Sequence, residues 1–115
     1  MSKGTLVVLT TGKEAFVRAN AILQMTLMVQ KTRGMATEFL ALGPGVEIFR
    51  SNQRNSAQFG QMLEQLRQAG VDLAVCEMSL ENLGLTRDQM FDARIVRGGV
   101  EVATRLEEGY AVLTF

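Results

Sequence analysis

Five short apolar runs set the terms on which this chain folds: GTLVVLTT (Gly4 to Thr11), MATEFLAL (Met35 to Leu42), VDLAVC (Val71 to Cys76), ARIV (Ala93 to Val96) and YAVLTF (Tyr110 to Phe115). Each has the length and residue types of a strand, and the first, closed by Gly12, reads as a buried central one. Between the runs lie stretches with helical spacing. This alternation predicts an α/β domain, a three-layer sandwich with a mostly parallel sheet of about five strands flanked by helices. At 115 residues the chain reads as a single domain over residues 1–115, without internal repeat, low-complexity segment or linker.

Residues 13 to about 31 read as a long helix. Ala15, Phe16, Ala19, Ile22, Leu23, Leu27 and Val29 give it a broad apolar face suited to packing on a sheet. Val17, Ala21, Met25 and Met28 fall on a separate arc, either against a neighbouring helix of the same chain or at a subunit interface. A second helix over 55–69 turns Phe59, Met62, Leu63, Leu66 and Ala69 to one side, with Gly70 as its cap. VEIF (Val46 to Phe49), after the turn GPG, is a strand extension, a hairpin arm or a loop anchored in the core. Ser79 is placed to cap a short helical turn closed by Gly84, and Thr86 with Gln89 has the spacing of a capping box. A last helix is expected from about Val100 to Glu108, with Val102, Ala103 and Leu106 inward.

Composition excludes several functions. Twelve Lys and Arg balance 12 Asp and Glu, so there is no basic footprint for nucleic acid, and near-neutral charge permits self-association. The apolar runs are far too short to span a bilayer and the amino terminus lacks a signal pattern, so a cytoplasmic protein with no membrane partner is expected. The chain has no histidine, which rules out Ser-His-Asp and Cys-His nucleophile systems within it. Its one cysteine forms no internal disulfide, and one thiol without imidazole does not make a zinc site. No metal and no cofactor are expected.

In parallel sheets, ligands gather beyond the carboxyl ends of the strands. Cys76 ends its strand there, where the amides of the following turn can stabilise a thiolate. Glu77 would oppose this if it pointed at the sulfur, and a small buried hydrophobe is the alternative role for the cysteine. LTTGKE is not a phosphate loop, since its first glycine is missing and Glu14 stands where Ser or Thr belongs. Thr11 and Lys13 in that turn, Arg50 in RSNQRN, Ser79, and Arg97, Gly98 and Gly99 in VRGGV are the candidate ligand-lining residues. Capping, solvation and turn geometry are the plainer explanations for them.

The ordered segments LGPGVEIF, LRQAGVDLAVCEMSLENLGL and GGVEVATRLEEGYAVLTF resemble the DsrE/DsrF-like family, which includes sulfur-relay subunits and the YchN-type proteins. The resemblance implies a five-stranded sheet between helices and assembly into homotrimers or hexamers. In the relay members it also implies a cysteine carrying sulfane sulfur, and only Cys76 can take that place here. The implied function is a cytoplasmic sulfur carrier or sulfurtransferase-like protein, with sulfur donor and acceptor proteins as partners. The alternatives are a non-catalytic oligomeric module binding a small ligand, and a structural subunit of a hetero-oligomer.

Overall fold

In the computed structural model, which describes residues 2–115, the apolar runs form β1 (Gly4–Leu9), β2 (Ala36–Ala41), β3 (Asp72–Cys76), β4 (Arg94–Val96) and β5 (Tyr110–Thr114). Every pairing is parallel, in the order β4-β3-β2-β1-β5. Helices α1 (Phe16–Arg33), α2 (Ser56–Gln68), α3 (Glu77–Leu83) and α4 (Gly98–Glu107) supply the crossovers. The first three crossovers step the chain one way along the sheet, and the fourth carries it back past β1 to β5.

Side chains alternate between the faces of a strand, so the sheet sorts its apolar residues into two cores. Val7, Leu9, Phe39, Ala41, Leu73 and Val75 meet Ala19, Ile22 and Leu23 of α1 and Phe59, Leu63 and Leu66 of α2 in the larger one. Leu6, Val8, Leu40 and Ala74 form the smaller one, against Val102 of α4 and the partly buried Leu42, Val96, Tyr110 and Val112. The two faces are unequally covered. One carries two long helices and the other carries α4 alone.

The segment VEIF is neither a strand nor a hairpin arm. It lies in a 3₁₀ stretch, Gly43–Phe49, that buries Val46, Ile48 and Phe49 and so is anchored in the larger core. The first helix also begins later than its periodicity suggests: Lys13–Ala15 is a 3₁₀ turn, and α1 starts at Phe16. Thr86 and Gln89 do form a capping box, around the 3₁₀ turn Arg87–Gln89.

The inward face of α4 departs from expectation. Ala103 and Leu106 are exposed, and the stripe that meets the sheet is Gly98, Glu101, Val102 and Arg105. The reason lies beneath it, where Glu38 of β2 is only 1% exposed. A buried carboxylate needs partners, and it finds Arg105 Nε at 2.6 Å and Arg94 Nη2 at 3.5 Å. Arg94 also bonds Asp72 at 2.7 Å and Glu101 at 2.9 Å, while Arg105 bonds Glu108 at 2.8 Å and lies over the Tyr110 ring at 5.1 Å. These bonds fix α4 along the sheet.

Candidate functional site

Adjacent strands β3 and β4 send the chain to opposite faces. After β3, α3 joins the larger core through Leu80; after β4, α4 lies on the other side. Such a divergence opens a crevice at the carboxyl ends of the two strands, which is where parallel sheets take ligands. Cys76 and Val96 are paired at that point. The crevice is a cleft of about 430 Å³ lined by Cys76, Glu77, Met78, Arg97, Gly98, Gly99 and Val100.

Cys76 is buried, with 8% of its surface exposed, and it lines the cleft. Burial pushes the thiol pKa up. The hydroxyl and amide of Ser79 and the amides of Gly98 and Met78 donate to the sulfur and outweigh burial, leaving the pKa below its ordinary value.

Each donor is placed by a specific local feature. The backbone turns from strand to helix at Cys76, so the amides of α3's first turn open onto the sulfur. Ser79 lies inside that turn, three residues past Cys76, and does not cap α3 as its sequence position suggests. Its Oγ instead accepts the Gly43 N–H at 2.8 Å, which leaves the hydroxyl hydrogen free for the sulfur. Gly98 is a glycine for reasons of space. A Cβ there would collide with the Leu42 side chain and lie 3.1 Å from Cys76 Sγ.

The structure thus brings Cys76, Ser79, Arg97, Gly98 and Gly99 together. Arg97 has no ion-pair partner among the described residues, and Met78 and Val100, 68% and 59% exposed, form an apolar rim. Thr11, Lys13 and Arg50 lie apart from this cleft. Thr11 accepts a hydrogen bond from Arg18 Nε at 3.2 Å. Lys13 Nζ at 3.4 Å and Arg50 Nη2 at 3.0 Å both pair with Glu47. Hydrogen bonding to Arg50 chiefly holds that carboxyl below its ordinary pKa, against the opposing effect of burial.

Sequence reasoning overlooked the ionic cluster under α4. A signal for it was present: Glu38 interrupts the apolar run MATEFLAL, and an acid inside a two-faced strand calls for buried cations. Among the described residues no group of three or more Cys, Asp and Glu side chains is arranged to hold a metal ion, and no helix is long and apolar enough to cross a membrane.

The model of the DsrE/DsrF-like family matches residues 3–115. No curated protein matches the chain. Among solved structures, the ychN protein of E. coli superposes with a TM-score of 0.83 at 19% identity, each chain covered over 100% of its length. MTH1491 of Methanobacterium thermoautotrophicum, a protein of unknown function, gives 0.75 at 16% identity with 100% of both chains covered. BT1422 of Bacteroides thetaiotaomicron, likewise of unknown function, gives 0.75 at 16% identity, covering 98% of this chain and 95% of its own. At such identities the likeness concerns the fold.

Proposed function

Because this chain belongs to the DsrE/DsrF-like family, we propose that it is a cytoplasmic sulfur carrier holding sulfane sulfur as a persulfide on Cys76. The observation that supports this reading most is the set of four donors to the sulfur of a cleft-lining cysteine. Together they lower the thiol pKa and so raise the share of thiolate.

In the loading step the Cys76 thiolate attacks the outer sulfur of a donor persulfide. The donor S–S bond breaks as a new one forms on Cys76, and the donor leaves as its thiolate. No external oxidant is needed, because one S–S bond replaces another. An acceptor thiolate then attacks the outer sulfur and Cys76 departs as the thiolate. Its lowered pKa assists that departure, since a more acidic thiol is the better leaving group. Ser79, Met78 and Gly98 hold the negative charge on Cys76 before loading and again after transfer. Arg97 at the mouth favours anionic donors, and the apolar rim of Met78 and Val100 gives an acceptor protein a surface to rest on.

The test is intact mass after treatment with a sulfane-sulfur donor. The wild type should gain one sulfur and Cys76→Ser none, and the gain should disappear on adding an acceptor thiol. Absence of any adduct across several donors would overturn the reading.

The size of the cleft also suits a non-catalytic module for a small anionic ligand. On that reading Cys76→Ala keeps ligand affinity while Arg97→Ala loses it.

A further inference from the structure

At the opposite end of β3 and β4 from Cys76 lies a second cleft, also of about 430 Å³. Three elements each bring a guanidinium to it: Arg67 from the last turn of α2, Arg87 from the 3₁₀ turn Arg87–Gln89, and Arg94 from the start of β4. Arg94 is fully engaged. It bonds both oxygens of Asp72, at 2.9 and 2.7 Å, and reaches Glu101 and Glu38 beneath α4. The other two cations are held differently.

Arg67 and Arg87 share one carboxylate, that of Asp92. It presents Oδ2 to Arg67 Nη1 at 3.6 Å and Oδ1 to Arg87 Nη1 at 4.0 Å, both beyond hydrogen-bond length. The Asp92 side chain is 80% exposed, and ion pairs so open to water contribute little. Arg67 is steadied elsewhere: its Nη2 donates to the Asp92 carbonyl at 2.6 Å, and its Nε pairs with Glu64 at 3.3 Å. Arg87, 65% exposed, has no closer acid than Asp92. Two guanidiniums thus converge on a carboxylate that bonds to neither. Asp92 is tied to the main chain that Arg67 grips, and its side chain stops short of both cations.

We propose that this cleft binds the phosphoryl group of a small phosphate monoester, which takes the place of the Asp92 carboxylate between Arg67 and Arg87. A free oxyanion has no tether and can settle until it forms charge-assisted bonds with both guanidiniums. A phosphoryl group suits the pair better than another carboxylate, because it carries close to twice the charge and one more acceptor oxygen. Displacement costs little, since Asp92 turns into water that already surrounds it. The lining then keeps three cations against Asp72 alone, with Glu64 beside Arg67. Room remains for the rest of an ester. Val71, Leu73 and Ala93 add apolar lining, and the volume falls in the range of about 300–1,000 Å³ that small organic ligands occupy. The inference is independent of any sulfur chemistry at Cys76, which lies at the carboxyl ends of the strands.

Nuclear magnetic resonance titration of the full chain at low, constant ionic strength tests it, with glycerol phosphate as the ester, inorganic phosphate as the bare anion and acetate as the carboxylate. The ester should give saturable shifts of the Arg67 and Arg87 Nε–H signals and of the Asp92 and Ala93 amides. Inorganic phosphate should bind more weakly and acetate most weakly. Arg87→Ala should weaken ester binding about tenfold. Asp92→Asn should tighten it several-fold, an effect that loss of structure would not mimic. Both side chains are mostly exposed, so both variants should keep the wild-type circular dichroism spectrum. No saturable shift with the ester, undiminished binding by Arg87→Ala, or no tighter binding by Asp92→Asn would each overturn the inference. So would acetate or inorganic phosphate binding as tightly as the ester, because the cleft would then select neither the phosphoryl group nor what it is attached to.

Discussion

Ser79 and Gly98 act on Cys76 in different ways, and substitution separates them. Ser79→Ala removes one donor and leaves the Gly43 amide without its acceptor. The thiol pKa should rise, and alkylation by iodoacetamide at neutral pH should slow several-fold, while Ser79→Thr should keep most of the rate. A purely structural role for Ser79 predicts loss of stability with no movement of the pH profile. Gly98→Ala drives a methyl group against Leu42 and the sulfur. It should cost about 1–3 kcal/mol by denaturant unfolding and raise the thiol pKa as well, because the first turn of α4 must retreat from Cys76. The cysteine's place at a strand end was legible in VDLAVC, and so was the helix amino terminus after it. The part played by Ser79 was not. Its acceptor duty is met by Gly43, 36 residues earlier in the chain, and local patterns do not carry such a pairing.

At the scale of elements, α4 shows how a charged strand residue re-aims a helix. Val102, Ala103 and Leu106 suggest one inward face, yet the sheet receives Glu101, Val102 and Arg105, because Arg105 pairs with Glu38 and Asp72 while Glu101 pairs with Arg94 and Arg105. Burial, reinforced by a hydrogen bond to Glu101 and opposed by Arg105, raises the Glu38 carboxyl from its ordinary 4.5 to about 8. A folded-state pKa above the unfolded one means that the native state holds the proton more tightly. The stabilisation from this group is therefore full below about pH 4.5 and is lost as pH rises towards 8. Urea midpoints should fall across that window in the wild type, and Glu38→Gln should flatten the profile. Arg105→Ala removes the nearest cation from a buried acid and should cost about 3–5 kcal/mol where Glu38 is ionised, and less at low pH where it is not. An Arg105→Ala penalty that does not change with pH would contradict this account of the cluster.

Across the whole molecule, the parallel sheet and its helices were readable because strand-length apolar runs and helical periodicity both depend on near neighbours. Boundaries moved by up to three residues, and the choice among the three readings of VEIF was settled only by the sheet that receives Val46, Ile48 and Phe49. The uneven covering of the sheet has a dynamic counterpart. β2 lies at the centre with helices packed over its larger-core face, whereas β4 is a three-residue edge strand and α4 rests on a small core and an ionic cluster. Native-state hydrogen exchange should find the slowest amides in β1, β2 and β3, and earlier opening in β4, α4 and β5. Equal protection in α1 and α4 would contradict this ranking.

Three of the four donors to Cys76 are main-chain amides, from Met78, Ser79 and Gly98. Apart from proline, no substitution deletes a main-chain N–H; movement of the backbone withdraws it. A copy whose α4 has come off the sheet lacks the Gly98 amide at its thiol and keeps the donors of Met78 and Ser79, which belong to α3. On the proposed carrier function, the full donor set at Cys76 is therefore present only while both α3 and α4 are docked.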